Sequence, residues 1–150
     1  MSDIEVIKVS GLTQLIAEQI LQGKRVSLTV TGSSMMPLFV DGRDSVVLKP
    51  ISKVKKGEIV FFKRDSGEYV LHRVYKVKQN DVYVVGDNQT VLEKIDKSQI
   101  IAQVESFVRK KVKHDTREFW YRLYTFFVSR TLLRRPKLYR FFSKINRGKI

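Results

Sequence analysis

Turn signals recur at short intervals through the middle of this 150-residue chain, and they leave no room there for long helices. Asp41-Gly42, Lys56-Gly57, Asp65-Ser66-Gly67, Gln79-Asn80-Asp81 and Gly86-Asp87-Asn88 all join residue types that accept tight backbone turns. Between them lie short runs rich in β-branched and aromatic residues: SVVL (45–48), EIVFF (58–62), EYVLHRVYKV (68–77) and DVYVV (81–85). Upstream, Val26, Leu28 and Val30 alternate with polar residues, the pattern of a strand with one buried face. A last strand is expected over IIAQVESFVRKKV (100–112). Strands spaced this closely favour a coiled antiparallel sheet over a parallel one with crossover helices. The expected fold is mainly β.

Helical periodicity appears only at the flanks. In 11–22, Leu12, Leu15, Ile16, Gln19 and Ile20 fall at helical spacing, and Gly23 supplies a stop. After His114 the pattern is again helical, interrupted at Pro136. Phe119, Trp120, Leu123, Tyr124, Phe127 and Val128 form one stripe, and a second short piece holds Leu138, Phe141, Phe142 and Ile145. Three segments follow: an N-terminal helical segment (1–24), a β domain (25–112) and a basic amphipathic helical tail (113–150).

Charge separates the tail from the rest. Residues 1–105 hold 15 Lys or Arg against 13 Asp or Glu, whereas residues 106–150 hold 14 against 2. Such asymmetry points to an acidic partner for the tail, a membrane surface or nucleic acid. The tail aromatics cluster on a stripe instead of interleaving with the basic residues, which disfavours nucleic acid. Residues 115–145 are expected to lie on an anionic membrane surface without spanning it. No apolar run reaches the roughly 18 residues of a spanning helix, and the N-terminus lacks the features of a signal peptide. The expected location is cytoplasmic, peripheral at the membrane. The absence of cysteine excludes disulfides, thiolate metal sites and cysteine nucleophiles.

Three stretches carry chemistry. Gly32-Ser33-Ser34-Met35-Met36-Pro37 follows the first alternating strand. A serine at a tight turn can hold its hydroxyl exposed beside backbone N–H groups that face a developing oxyanion. The plain alternative is a Gly-Ser loop with methionines as core filler. A serine nucleophile needs a base, and the chain has two histidines. His114 sits among lysines and is expected to be solvated, whereas His72 lies inside the apolar strand YVLHRVYKV. A lone strand histidine is more often structural. Asp87, in Gly86-Asp87-Asn88, could accept the far N–H of an imidazole, although Asp-Asn after Gly is also ordinary turn chemistry.

Taken in order, these stretches resemble the signal-peptidase and LexA-repressor superfamily of serine peptidases. GSSMMP followed by DGRDSVVL is similar to the family's G-x-S-M-x-P and G-D-x-V segments, with Gly42-Arg43-Asp44 one residue longer. KKGEIVFFKRDSGEYVLHRV resembles the segment ending in Lys or His before Arg-Val, VYVVGDN the V-x-G-D-N turn, and IIAQVESFV the closing strand. The resemblance spans roughly 25–108. It implies a coiled β-fold, Ser34 as nucleophile and His72 as base in place of the lysine of LexA-like members, as in the endoplasmic-reticulum and archaeal signal peptidases. It implies Asp87 as the acidic support, and Glu93 falls near a second acidic position. Gly32 stands where many signal peptidases carry serine, so backbone N–H groups would serve the oxyanion. Their N-terminal membrane anchor has no counterpart here.

The resulting expectation is a serine endopeptidase that needs no metal or cofactor. It would cleave a peptide or leader-bearing precursor by a Ser34–His72(–Asp87) mechanism. The alternative is a non-catalytic, peptidase-like binding module tethered by its basic tail to membrane or nucleic acid. Residues 1–24 hold one good helix, which disfavours a helix-turn-helix version of that module.

Overall fold

The computed structural model describes residues 5–7 and 13–134. The described elements are β1 (Glu5–Ile7), α1 (Thr13–Leu21), β2 (Val26–Thr29), β3 (Ser45–Pro50), β4 (Ile59–Lys63), β5 (Tyr69–Lys78), β6 (Asp81–Val85), β7 (Glu93–Asp96), β8 (Ile100–Arg109), β9 (Val112–Asp115) and α2 (Phe119–Thr131). The strands form one nine-stranded sheet in the order β1-β2-β3-β8-β4-β5-β6-β7, with β9 also paired to β8. Only the β1–β2 pair is parallel among the described strands. The mainly β architecture is therefore the one the turn spacing implies.

β8 is the strand around which the sheet coils. Its residues 102–108 pair with β3 on one edge, while on the other edge its first residues pair with β4 and its last with β9. Register shifts interrupt β3–β8 between Val47 and Leu48, β4–β8 between Phe61 and Phe62, and β5–β6 between Val74 and Lys76. Such bulges bend strands and raise their twist, which lets one continuous sheet wrap around two cores.

β4 shows how the sequence serves both cores. Ile59, Val60, Phe61 and Phe62 are all buried, and successive side chains of a strand point to opposite faces. Ile59 and Phe61 join a cluster with Ile16, Ile20, Phe39, Leu48 and Phe107, while Val60 and Phe62 join one with Val74, Val82, Val84 and Ile95. α1 closes the first cluster through Ile16 and Ile20, and the chain turns after it at Gly23, whose φ of +83° suits a left-handed cap. Leu15 lies on the outer side of α1 at 41% exposure, against its expected place on the apolar stripe.

The expected single strand over 100–112 is a hairpin. Lys110 and Lys111 adopt φ of +51° and +68°, the two consecutive left-handed residues of a tight primed turn. The buried Asp44 carboxylate helps hold it, accepting from the Lys110 N–H at 3.2 Å. The boundary expected between 112 and 113 thus falls inside β9, and the helix expected from 115 begins at Phe119. His114 is half-buried rather than solvated, with Nδ1 3.0 Å from Glu118 Oε2 and its ring against Phe107 and Trp120. Pro136 and the second apolar piece with Leu138, Phe141, Phe142 and Ile145 lie outside the described residues.

α2 docks on the sheet through a buried ion pair. Arg73 on β5 and Asp87 just after β6 are both fully buried and meet in a bidentate contact, Nε to Oδ1 and Nη2 to Oδ2, each 2.7 Å. Arg73 Nη1 also donates to the Gly57 carbonyl at 2.8 Å and to Thr125 Oγ1 at 3.1 Å. The Tyr124 hydroxyl donates to Asp87 Oδ2 at 3.0 Å. Removing one partner would strand a buried charge, so Arg73→Met is expected to cost about 3–5 kcal/mol in urea unfolding. Adding Asp87→Leu to Arg73→Met is expected to recover part of that loss, and Tyr124→Phe alone to cost about 1 kcal/mol. A loss well under about 1 kcal/mol for Arg73→Met would contradict this role for the pair.

Candidate active site

The loop carrying Ser34 leaves β2 through Gly32, whose φ of +77° is left-handed and open to glycine without strain. The Gly32 N–H donates to Asp41 Oδ1 at 3.0 Å, and the Ser33 carbonyl accepts from the Met36 N–H at 3.2 Å, closing a turn around Ser34 and Met35. Met35, Leu38 and Phe39 are buried and anchor the loop from below, while Ser34 stays half-buried and Met36 lies at 39% exposure. Among the described residues, no protein acceptor meets the N–H of Ser34 or of Met35. Two donors are therefore left free beside the hydroxyl.

The Gly86-Asp87-Asn88 turn clamps this loop from the other side. The Asn88 N–H donates to the Ser34 carbonyl at 2.8 Å, and Asn88 Nδ2 donates to the Ser33 carbonyl at 3.2 Å. A Cβ on Gly86 would collide with the Ser34 carbonyl oxygen, so only glycine permits the approach. Asp87, between them, faces away into the Arg73 pair.

His72 stands on β5 opposite Val60, one residue before Arg73, and is 2% exposed. Its ring lies 5.9 Å from the Phe62 ring. Nδ1 is buried without a hydrogen-bond partner, and its nearest carboxylate oxygen is Glu93 Oε2 at 3.8 Å. Glu93 opens β7, two strands away across the sheet, and Arg64 holds it by a bidentate contact of 2.7 and 2.9 Å. The Arg64 hydrogen bonds keep the Glu93 carboxyl below its ordinary value, so it is ionised at neutral pH. Burial pushes the His72 imidazole down to about 4, against the opposing pull of the Glu93 charge. At neutral pH the ring is a free base.

Ser34 and His72, 38 positions apart, line one cavity of about 370 Å³. No hydrogen bond joins their side chains. Tyr69, Val70 and Leu71 line the same cavity and belong to the half of β5 that pairs with β4 alone, because β6 pairing begins at Arg73. An unpaired strand edge thus runs along the cavity to the histidine.

The candidates read from the sequence divide here. Ser34 and His72 line one cavity, whereas Asp87 makes its hydrogen bonds to Arg73 and Tyr124 and reaches His72 only through space. The carboxylate facing Nδ1 is that of Glu93. Sequence reasoning missed Arg64, Arg73, Asn88 and Tyr124. Arg73 offered a signal, since a charge between His72 and Val74 in an apolar strand requires a partner.

No curated protein matches the chain. Residues 7–106 match the family model described as Peptidase S24-like, a region that contains Ser34, His72, Asp87 and Glu93 and stops before α2. That match covers two thirds of the chain and agrees with the LexA and signal-peptidase-like fold built above. The chain belongs to the Peptidase S24-like family.

Proposed function

We propose that the protein is a serine endopeptidase with Ser34 as nucleophile, His72 as general base and Glu93 as the carboxylate that steadies the imidazole. The observation that carries this reading is the shared cavity, in which the half-buried Ser34, a neutral His72 and an open strand edge adjoin. A peptide or leader-bearing precursor would lie extended beside Tyr69–His72, adding a strand to the sheet. Ser34 Oγ attacks the scissile carbonyl as its proton passes to His72 Nε2, while Nδ1–H turns to Glu93. The free N–H groups of Ser34 and Met35 face the oxyanion. His72 then returns the proton to the leaving amine, which departs and leaves an ester on Ser34. Water, deprotonated by His72, hydrolyses that ester and restores the serine. Asp87 in this reading is a positioning residue, tying the turn that holds the Ser34 carbonyl to Arg73.

A module that binds peptides without cleaving them would use the same strand edge, and labelling separates the two. A fluorophosphonate is expected to modify wild-type protein and not Ser34→Ala, with His72→Ala slowing labelling by about 10²–10⁴-fold. A wild-type chain that binds peptide yet never takes the label is the module instead.

The pH dependence has a defined sign. The rate is expected to hold from neutrality downward and to fall through about pH 4, where His72 takes up a proton. Glu93→Gln removes a charge that raises the imidazole, so its midpoint moves lower still. A wild-type midpoint at the ordinary histidine value of 6.5 would refute the buried-base assignment.

Stability follows the same group. The unfolded chain takes up this proton near 6.5 and the folded chain only near 4, so the contribution is full above pH 6.5 and declines as pH falls to about 4. The loss is ~3 kcal/mol. Urea unfolding at pH 7 and pH 4 is expected to show a smaller loss for His72→Phe than for wild type.

A further inference from the structure

α2 carries two features that the peptidase reading leaves unused. The first is its outer face. At 3.6 residues per turn, Tyr121, Thr125 and Val128 turn toward the sheet, and Phe119, Leu123, Phe126 and Arg130 lie opposite. Phe119 is 81% exposed, Leu123 44%, Phe126 50% and Phe127 57%, with Arg130 stacked over the Phe126 ring at 4.3 Å. The apolar stripe expected from the sequence is therefore split, with Tyr124 and Val128 packed inward, Trp120 against Phe107 and His114, and Phe119, Leu123 and Phe127 facing out.

The second feature is a cavity of about 560 Å³ between the first turns of α2 and the β3–β4 connection. Lys49, Lys55, Lys56, Arg117 and Arg122 line it against a single acidic side chain, Glu58. Arg117 is engaged by Asp115 at 2.9 Å. Among the described residues, Lys49, Lys55 and Arg122 have no carboxylate within ion-pair distance. Arg122 sits a quarter-turn or so from Tyr121 and borders both the cavity and the outer face.

We propose that α2 and this cavity form a docking site for an anionic phospholipid surface. The outer aromatic and aliphatic side chains enter the headgroup boundary, and a headgroup phosphate sits in the basic cavity beside them. Charge complementarity selects this occupant: an anion socket on the flank of an exposed apolar helix face fits a molecule with a phosphate at one end and hydrocarbon at the other. No helix among the described residues is long and apolar enough to cross a membrane, so the attachment is interfacial. The reading does not depend on peptidase activity.

Trp120, the only tryptophan of the chain, lies beside that face at 37% exposure and reports the docking by its fluorescence. Full-length protein would be mixed with vesicles of phosphatidylcholine alone, or of phosphatidylcholine with phosphatidylglycerol, and both co-sedimentation and the Trp120 emission recorded. Binding and a blue shift are expected only with phosphatidylglycerol, and added salt should weaken both. Lys49→Gln with Arg122→Gln is expected to lower partitioning about 25-fold, some fivefold for each cation. Phe119→Ser with Phe126→Ser, both at exposed positions, is expected to lower it at least about tenfold with the unfolding temperature unchanged. Residues 135–150 add six basic and no acidic side chains, so unchanged partitioning of the Lys49/Arg122 variant would assign binding to that segment and overturn the proposal. Equal binding to both vesicle types would overturn it as well. So would binding of inorganic phosphate without vesicle binding, or a complex with an acidic protein in place of one with vesicles.

Discussion

A guanidinium and a carboxylate, both closed off from solvent, stand where four parts of the chain converge. Arg73 reaches Asp87 with two donors, the Gly57 carbonyl with a third contact and Thr125 with a fourth, and Tyr124 completes the carboxylate. The β3–β4 connection, β5, the turn after β6, and α2 are tied through one point. Two buried charges are costly to desolvate, and only this density of hydrogen bonds keeps such a pair in place. His72 precedes Arg73, and Gly86 and Asn88 flank Asp87. The pair thus fixes the strand bearing the candidate base against the turn that grips the Ser34 carbonyl.

His72 is held under tension of a different kind. An imidazole nitrogen buried without a partner costs about 1–3 kcal/mol, and Glu93 stands just beyond hydrogen-bond reach at 3.8 Å. Arg64 keeps Glu93 ionised, and that charge attracts the imidazole most strongly once the ring is charged. That bias suits a base that carries a proton only briefly.

Local pattern carried most of the fold, and it failed where distant neighbours decide. Alternation revealed β2, and β-branched and aromatic runs between turn signals revealed β4, β5 and β6, because those signals lie within each strand's own residues. β1 is three residues long, too short for any period to register. The β8–β9 turn falls on two lysines rather than on Gly or Asn, since Asp44, distant in sequence, stabilises it. At the candidate site, residue type pointed to Ser34 and His72, which line one cavity, but where a carboxylate sits depends on which cation claims it. Arg73 claims Asp87, while Glu93, paired with Arg64, stands 3.8 Å from His72 Nδ1. The α2 stripe misled for the same reason, because polar Tyr121 and Thr125 turn inward to Arg73 while Phe119 and Phe126 turn out.

The contact between Tyr124 and Asp87 also sets an order in time. Chains emerge from the ribosome N-terminal end first, at about 5–20 residues per second, and earlier segments begin to fold before later ones exist. The loop at Ser34 and the strand at His72 are made well before α2, which contributes Tyr124 and Thr125 to the buried pair behind them. Until that helix arrives, the Arg73–Asp87 pair stands open to water on one side, and the turn clamping the nucleophile loop lacks its backing. The nascent chain therefore carries the candidate catalytic groups without their finished support until α2 has been made.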